Sequence, residues 1–539
     1  MDIPLAKPMA PSAPKLRALT LREVVRFAAA PIAAVAAFII AAQNQHAPYD
    51  IQAGEVARFV AGVVPLVAAG IAGLAVLRPR IGLLAMLLLT PIIDVAQISW
   101  DFGPLQVIDQ TIFVAAIGIG LVMRDREPRP SHTLAILPNR SISIPGVALV
   151  SMVAMLCFAL VSTAASPNLL SSTTVLLHGI LEPFFIAGAL LLLRPTRRDL
   201  IRVMIVLVIS VAIGSLLNIA QTVPAMKTLS VMQTNRLLIS RITYFNIGLF
   251  GEMLAMTLPL LLVLLLAHRN RYLRLPTPII AVLLAAVPVD IVALFLTFTK
   301  TAYLASFGGC LVLLLLFVHT WRRRATILVA VTLLSAVVIP WPALVLQAAP
   351  PLNQAYRNVM VAVVGQSRFD SWNPSTPSGK GSVMERWYAT QAGIRMAIDH
   401  PLLGISLNQF GTQYVDNYKP AQARLDLDWA HSMLPEVAAE LGIPALLLDL
   451  LIYAAALMAA WRVYRSPPDQ LTRLLACGLL AIMVAWQVAG IAFAGDMYRP
   501  WRNMASDYVT MMVLMASAFA LYRWSRRHAA QGETALATL

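Results

Sequence analysis

About fourteen apolar runs divide this 539-residue chain, and each approaches the roughly 20 residues that a helix needs to cross a bilayer. That pattern restricts the fold, because lipid offers no partner to unpaired backbone groups and leaves helices as the usual solution. The runs fall near 24–42, 56–77, 80–98, 107–123, 145–164, 172–193, 200–222, 247–267, 277–298, 301–319, 326–346, 433–461, 471–493 and 505–523. Charged residues make up 12% of the chain, about half the share of a soluble domain. The sequence predicts an all-α polytopic membrane protein of about 12–14 transmembrane helices. A tail at 1–23 precedes spans across 24–346, a long polar loop at 347–432 contains short helices, spans follow across 433–523, and 524–539 is a second tail.

Lys and Arg test this division independently, because cytoplasmic connections are enriched in them. With the N terminus inside, each inside segment is basic: Arg78 and Arg80, Arg194 to Arg202, Arg269 to Arg274, Arg322 to Arg324, Arg462 to Arg473, and Arg523 to Arg527. The outside connections at 43–55, 99–106 and 165–171 contain no Lys or Arg. Both termini are expected on the cytoplasmic side. The basic, Pro-rich first 23 residues read as a cytoplasmic tail rather than a cleaved leader. The net charge of +15 is then chiefly a topology signal with some attraction to anionic lipid, so no nucleic-acid partner is expected. Cys157, Cys310 and Cys477 lie far apart in apolar runs, which predicts buried thiols and neither a metal site nor a disulfide framework.

The long loop is the water-compatible part of the chain. Ser382 and Glu385 have capping-box spacing, and Trp387, Gln391, Ile394 and Ile398 follow at helical spacing until His400-Pro401 ends the run. An amphipathic helix lying along the outer membrane surface is expected. Gly404 and Gly411 then bracket a turn, and Ser432 is the expected N-cap of the next span.

Outer cations gather in the second half of the chain. Arg241, in NRLLISRITYFNIG, either snorkels to lipid phosphate or binds an anionic part of a substrate, with Tyr244 and Asn246 as hydrogen-bond partners. Lys300 sits in an apolar hairpin where a charge needs a cavity or partner; Asp290, ten residues up one helix, would be about 15 Å away. His178, Glu182, Glu252 and Asp449 are expected to hydrogen-bond between helices. His400 reads as a turn residue. His431 is either a surface histidine at a helix start or a group able to take a proton from a hydroxyl. Arg241, Lys300 and Arg386 around His431 suit a diphosphate, whose charge such clamps hold and whose departure they assist. No nucleotide fingerprint is present, so the donor is expected to be a lipid-linked diphosphate delivered within the membrane.

TFTKTAYL, then ERWYATQAGIRMAIDHPLLGISLNQF, then AHSMLPEVAAELGIPALL, in that order, resemble the O-antigen ligase and polymerase superfamily of bacterial membrane glycosyltransferases. The similarity spans about 236–450. It implies a GT-C-like fold in the bacterial inner membrane, with a periplasmic active-site loop and no cofactor or metal. It further implies inverting transfer of a glycan from undecaprenyl diphosphate to an acceptor hydroxyl on a glycan, on lipid A core or on a protein. By resemblance Arg241, Lys300 and Arg386 bind the diphosphate, His431 is the base or acceptor-orienting residue, and Trp387 and Glu440 support the site. Two positions depart from the family pattern: Lys300 stands where arginine is usual, replacing a bidentate fork by a point charge, and Ser432 stands where asparagine is common. Competing readings are a polysaccharide flippase, for which repeat halves and midplane charges would be expected, and a structural envelope protein.

Overall fold

In a computed structural model of the chain, the described residues are 29–34, 66–67, 69–96, 99–102, 105–122, 143–228, 247–297, 300–318, 320, 322–326, 329, 354, 358, 377–491 and 506–537. They form α1 (Pro79–Ala96), a hairpin of β1 (Ser99–Phe102) and β2 (Leu105–Ile108), α2 (Asp109–Val122), α3 (Ile144–Ala164), α4 (Leu169–Leu192) and α5 (Arg197–Thr228). After these come α6 (Ile247–Arg269), α7 (Thr277–Thr297), α8 (Lys300–Phe317), α9 (Pro377–Asp399), α10 (Met433–Leu441), α11 (Ile443–Arg465), α12 (Gln470–Ile491) and α13 (Ser506–Ala537). The fold is an all-α polytopic membrane protein; its one described exception is the hairpin, which pairs Ser99 with Ile108 in antiparallel register.

Among the described residues, α3, α4, α6, α7, α11, α12 and the Arg197–Ala220 part of α5 are long and apolar enough to cross a membrane. The apolar stretches Pro79–Leu88 and Thr301–Phe317 are shorter. The runs expected at 24–42 and 326–346 lie largely, and the run at 56–77 about half, outside the described residues. Burial separates the centre of the bundle from its rim: 83% of the apolar window of α6 is buried, against 22% for α7. α6 packs on α7, α8 and α12, whereas α7 turns Leu284, Ile291, Val292 and Phe295 outward, a lateral surface that lipid would cover.

Several expectations need correction. The run at 107–123 forms a 14-residue helix, about 21 Å long at 1.5 Å per residue and too short to span alone. The run at 433–461 is two helices broken at Gly442, and the tail expected at 524–539 continues α13 as helix as far as Ala537. α9 starts at Pro377, so Ser382 lies inside it rather than at its N-cap position. Ser432 does occupy the N-cap position of α10, but its side chain makes no cap hydrogen bond. His178 Nδ1 lies 2.9 Å from Glu182 Oε1 within one helix, where a π turn brings them together. Of the cysteines only Cys477 is buried; Cys310 is intermediate and Cys157 exposed. Asp290 accepts a 2.7 Å hydrogen bond from Ser215 Oγ of α5.

The two sets of connections separated by charge in the sequence collect at opposite ends of the bundle. At one end Ser172 Oγ donates to Leu407 O at 2.6 Å, Asn408 bonds Ser171, and Ser162 Oγ donates to Glu440 O at 3.1 Å. The charge-free connection at 165–171 therefore sits beside the long loop. At the other end Arg80 donates to Leu193 O at 3.0 Å, Arg197 pairs with Asp469, and Arg324 donates to Tyr464 Oη at 3.3 Å.

A paired glycine contact fastens the loop to the bundle. Gly404 (φ 65°) and Gly442 (φ 87°) both have left-handed backbone, which glycine adopts without steric cost. Ile405 N donates to Ala439 O and Ile443 N to Pro401 O, both at 2.8 Å. A Cβ on Gly404 would lie 2.3 Å from the Glu440 carbonyl carbon, and one on Gly442 would lie 2.3 Å from Leu402 O. Gly442→Ala is expected to cost about 1–3 kcal/mol of local stability through strain and clash. The loop around 400–432 should then become protease-sensitive in a protein that still inserts; unchanged resistance would contradict the contact.

Candidate functional site

The loop unit has its own small core, made by Ala389, Ala392 and Met396 of α9 with Ile405, Phe410, Tyr414, Ala430 and Ala439. Small residues let α9 come close: a Cβ on Gly393 would lie 3.1 Å from Ala430 Cβ and 3.2 Å from Pro435 Cβ. The outward side of α9 carries Trp387, Ile394 and Ile398, all exposed, in keeping with the helical spacing in the sequence and suited to a membrane interface. Buried carboxylates tie the unit together. Glu385 accepts from Arg424 N at 2.9 Å and Leu425 N at 3.1 Å. Glu440 Oε1 accepts from Phe410 N at 3.2 Å.

These contacts converge on the turn that carries His431. Ala430 is held on both sides: Thr390 Oγ1 donates to its carbonyl at 2.8 Å, and its N–H donates to buried Glu436. With Ala430 fixed, His431 takes a left-handed conformation, φ 53°, which is uncommon for a residue with a side chain and persists where surroundings enforce it. Trp429 Nε1 donates to His431 Nδ1 at 2.8 Å, with ring centroids 4.8 Å apart. An indole nitrogen only donates, so Nδ1 here is the lone-pair nitrogen and the ring proton sits on Nε2. The histidine in this arrangement presents an N–H at Nε2.

Arg386 is exposed on α9, one turn before Thr390, at the i,i+4 spacing of helix neighbours. Trp387 lies beside it, 43% exposed. Glu440 is buried and serves the loop backbone. Lys300 is the first residue of α8. Arg241, Tyr244 and Asn246 lie outside the described residues. Trp429, Thr390, Glu436 and Glu385 were not singled out in the sequence as site residues. Only Trp429 had a local signal, two positions from the candidate histidine; the carboxylates act across distances of 6 to 40 residues that spacing does not reveal. Among the described residues no three His, Cys, Asp or Glu side chains are grouped to hold a metal ion.

Residues 289–449, from within α7 through the loop unit into α11, match a family model described as O-antigen ligase. No curated protein matches the chain.

Tyr414 is fully buried, stacks on Phe410 at 5.9 Å and has no hydrogen-bond partner for its hydroxyl among the described residues. Burial first, then the charges of Glu385 and Asp426, push its phenol up from 10.0 to about 12. The unfolded chain therefore loses this proton at lower pH than the folded one, so stability falls as pH rises from 10 to about 12. Tyr414→Phe should remove that part of the alkaline loss and leave neutral-pH stability equal or up to about 1 kcal/mol higher. Thr390→Val, in contrast, should cost about 1 kcal/mol by leaving the Ala430 carbonyl without its donor. Thermal unfolding of the three proteins across pH checks both; equal alkaline slopes in wild type and Tyr414→Phe would refute the assignment.

Proposed function

We propose that this chain, which belongs to the O-antigen ligase superfamily through residues 289–449, transfers a saccharide from a polyprenyl diphosphate carrier to an acceptor hydroxyl. The superfamily is a group of glycosyltransferase-like membrane enzymes of ligase and polymerase type. Undecaprenyl diphosphate as donor carrier, the periplasmic face of the bacterial inner membrane as location, and inversion without metal complete the proposal. The acceptor is a glycan, lipid A core or a protein hydroxyl. The observation that carries it is the Trp429–His431 hydrogen bond at 2.8 Å inside the matched segment, on a turn whose backbone is fixed from both sides.

That geometry supports one of the two roles open to His431. A base at Nδ1 would first have to break the indole bond, whereas Nε2 carries the ring proton and is the nitrogen suited to donate to an oxygen. In the proposed step His431 Nε2–H holds the acceptor oxygen in line with the anomeric carbon. The new C–O bond forms as the bond to the diphosphate breaks, and the electron pair leaves with the polyprenyl diphosphate. The hydroxyl proton passes to the released diphosphate, the strongest base generated in the step. Arg386, Lys300 and Arg241 bind the diphosphate and offset its developing charge. Lys300 acts as a point charge without a bidentate fork.

Glycan transfer by the reconstituted protein from a polyprenyl diphosphate donor tests this. His431→Ala should lower the rate by about 10²-fold or more. His431→Gln, which keeps an N–H donor near the Nε2 position, should retain activity within about tenfold of wild type, whereas a base would not be replaced by an amide. Trp429→Phe should lower kcat more than it raises KM. Arg386→Ala should reduce kcat/KM by about tenfold or more, with Arg386→Lys only partly restoring it. Activity is expected to survive EDTA. Full transfer by a normally inserted His431→Ala protein would remove the enzymatic reading; a His431→Gln protein as inactive as His431→Ala would return His431 to the role of base.

A further inference from the structure

The end of the bundle remote from the loop unit holds a second polar site. A cavity of about 350 Å³ lies between α8, the Arg324 segment and the turn from α11 to α12, lined by Leu316, Arg324, Trp461, Arg465, Pro467 and Arg473 together with Tyr464. A neighbouring hollow of about 430 Å³ shares Trp461 and Arg465 and adds Arg462 and Arg526. From Ile443 to Arg465 α11 runs 23 residues, about 33 Å at 1.5 Å per residue, so these hollows are separate from the His431 turn.

Three guanidinium groups converge on the first cavity, and no carboxylate lines it. Arg324 and Arg473 both donate to the single hydroxyl of Tyr464, at 3.3 and 3.5 Å, and that hydroxyl donates on to Leu316 O at 3.2 Å. Arg324 Nε is further held inward by Val318 O at 2.6 Å, and Arg473 stacks over the Tyr464 ring at 4.9 Å. Arg473 Nε is buried with no hydrogen-bond partner among the described residues. Asp469 and Asp199, in the adjoining connections, are engaged elsewhere, with Arg197 and Arg202 respectively. Arginines that only mark topology can extend into water; here Arg324 and Arg473 are folded onto Tyr464, and the exposed Arg465 lies over Trp461 at the rim of the cavity. Like charges gathered in this way are destabilising unless an anion sits among them.

We infer that this cavity binds the headgroup phosphate of an anionic membrane lipid. The planar forks of Arg324, Arg465 and Arg473 suit phosphate oxygens. The apolar wall of Leu316, Trp461 and Pro467 would cover the glycerol and first methylenes of a lipid, a surface that a free phosphate ion leaves unfilled. The position fits as well, because this is the end that the charge pattern assigns to the cytoplasmic leaflet, where basic clusters between helices meet anionic headgroups.

The test is a titration of the purified full-length protein in detergent with phosphatidylglycerol, phosphatidylcholine or inorganic phosphate, reading the thermal midpoint. Phosphatidylglycerol should raise the midpoint saturably, and the other two should not at equal concentration. Arg465→Gln should raise the half-saturating phosphatidylglycerol concentration about fivefold, and Arg324→Gln or Arg473→Gln at least as much. Arg269→Gln, which removes an exposed arginine outside the cavity, should leave it unchanged. Arg324 and Arg473 also bond Tyr464, so if their variants do not fold, Arg465→Gln decides, since that side chain is exposed and lies over the Trp461 ring. Equal responses of wild type and Arg465→Gln overturn the proposal, as does an equal loss in Arg269→Gln. A shift produced fully by inorganic phosphate would overturn the lipid assignment.

Discussion

The backbone contact between Gly404 and Gly442 is the constraint on which the rest of the loop unit depends. Two left-handed glycines let the 401–405 turn lie directly against the C-terminal carbonyls of α10, with a hydrogen bond in each direction. Those carbonyls have no partner within their own helix, and the turn supplies one of them. No side chain fits between the two strands of backbone. The contact therefore fixes where α10 ends, where α11 begins and how the preceding loop enters the turn at His431.

From that anchor the geometry of the site follows in short steps. Glu440, at the end of α10, reaches back to Phe410 N, and Phe410 packs with Tyr414 and Ala430 in the loop core. Ala430 is gripped by Thr390 and Glu436, and the next residue, His431, is pressed into a strained conformation. Among the described residues, three of the five non-glycine residues with positive φ, Ser406, Asn408 and His431, fall in this unit. Strain gathered in this way is typical of functional positions held by surrounding structure. The indole of Trp429 then sets which ring nitrogen of His431 carries the proton.

The transmembrane part serves as a support with two distinct ends. α6 and α12 fill its centre, while α3 and α7 lie at the rim with apolar side chains outward. Serine hydroxyls of α3 and α4 hold the loop unit at one end. Arginines from four connections meet at the other end, where they bind backbone carbonyls, stack on Tyr464 and Trp524, and line a cavity without a carboxylate.

The sequence by itself determined the helical membrane class, because apolar run length and the spacing of Lys and Arg are local quantities that hydration and membrane orientation read directly. It also marked the segment 385–447 through motif order, including His431 and Arg386. It did not determine the break at Gly442 within an apolar run, the early start of α9, or the intrahelical pairing of His178 with Glu182, since each turns on contacts or backbone angles that composition does not encode. Only the tertiary structure decided that Trp429 faces His431, that Thr390 and Glu436 hold Ala430 from opposite sides, and that Arg324, Arg465 and Arg473 share one hollow. The physical reason is that hydrogen bonds and burial act over a few ångströms in space, and side chains 2 to 149 positions apart in the chain are brought within that range by the folded backbone and the packing of the helices.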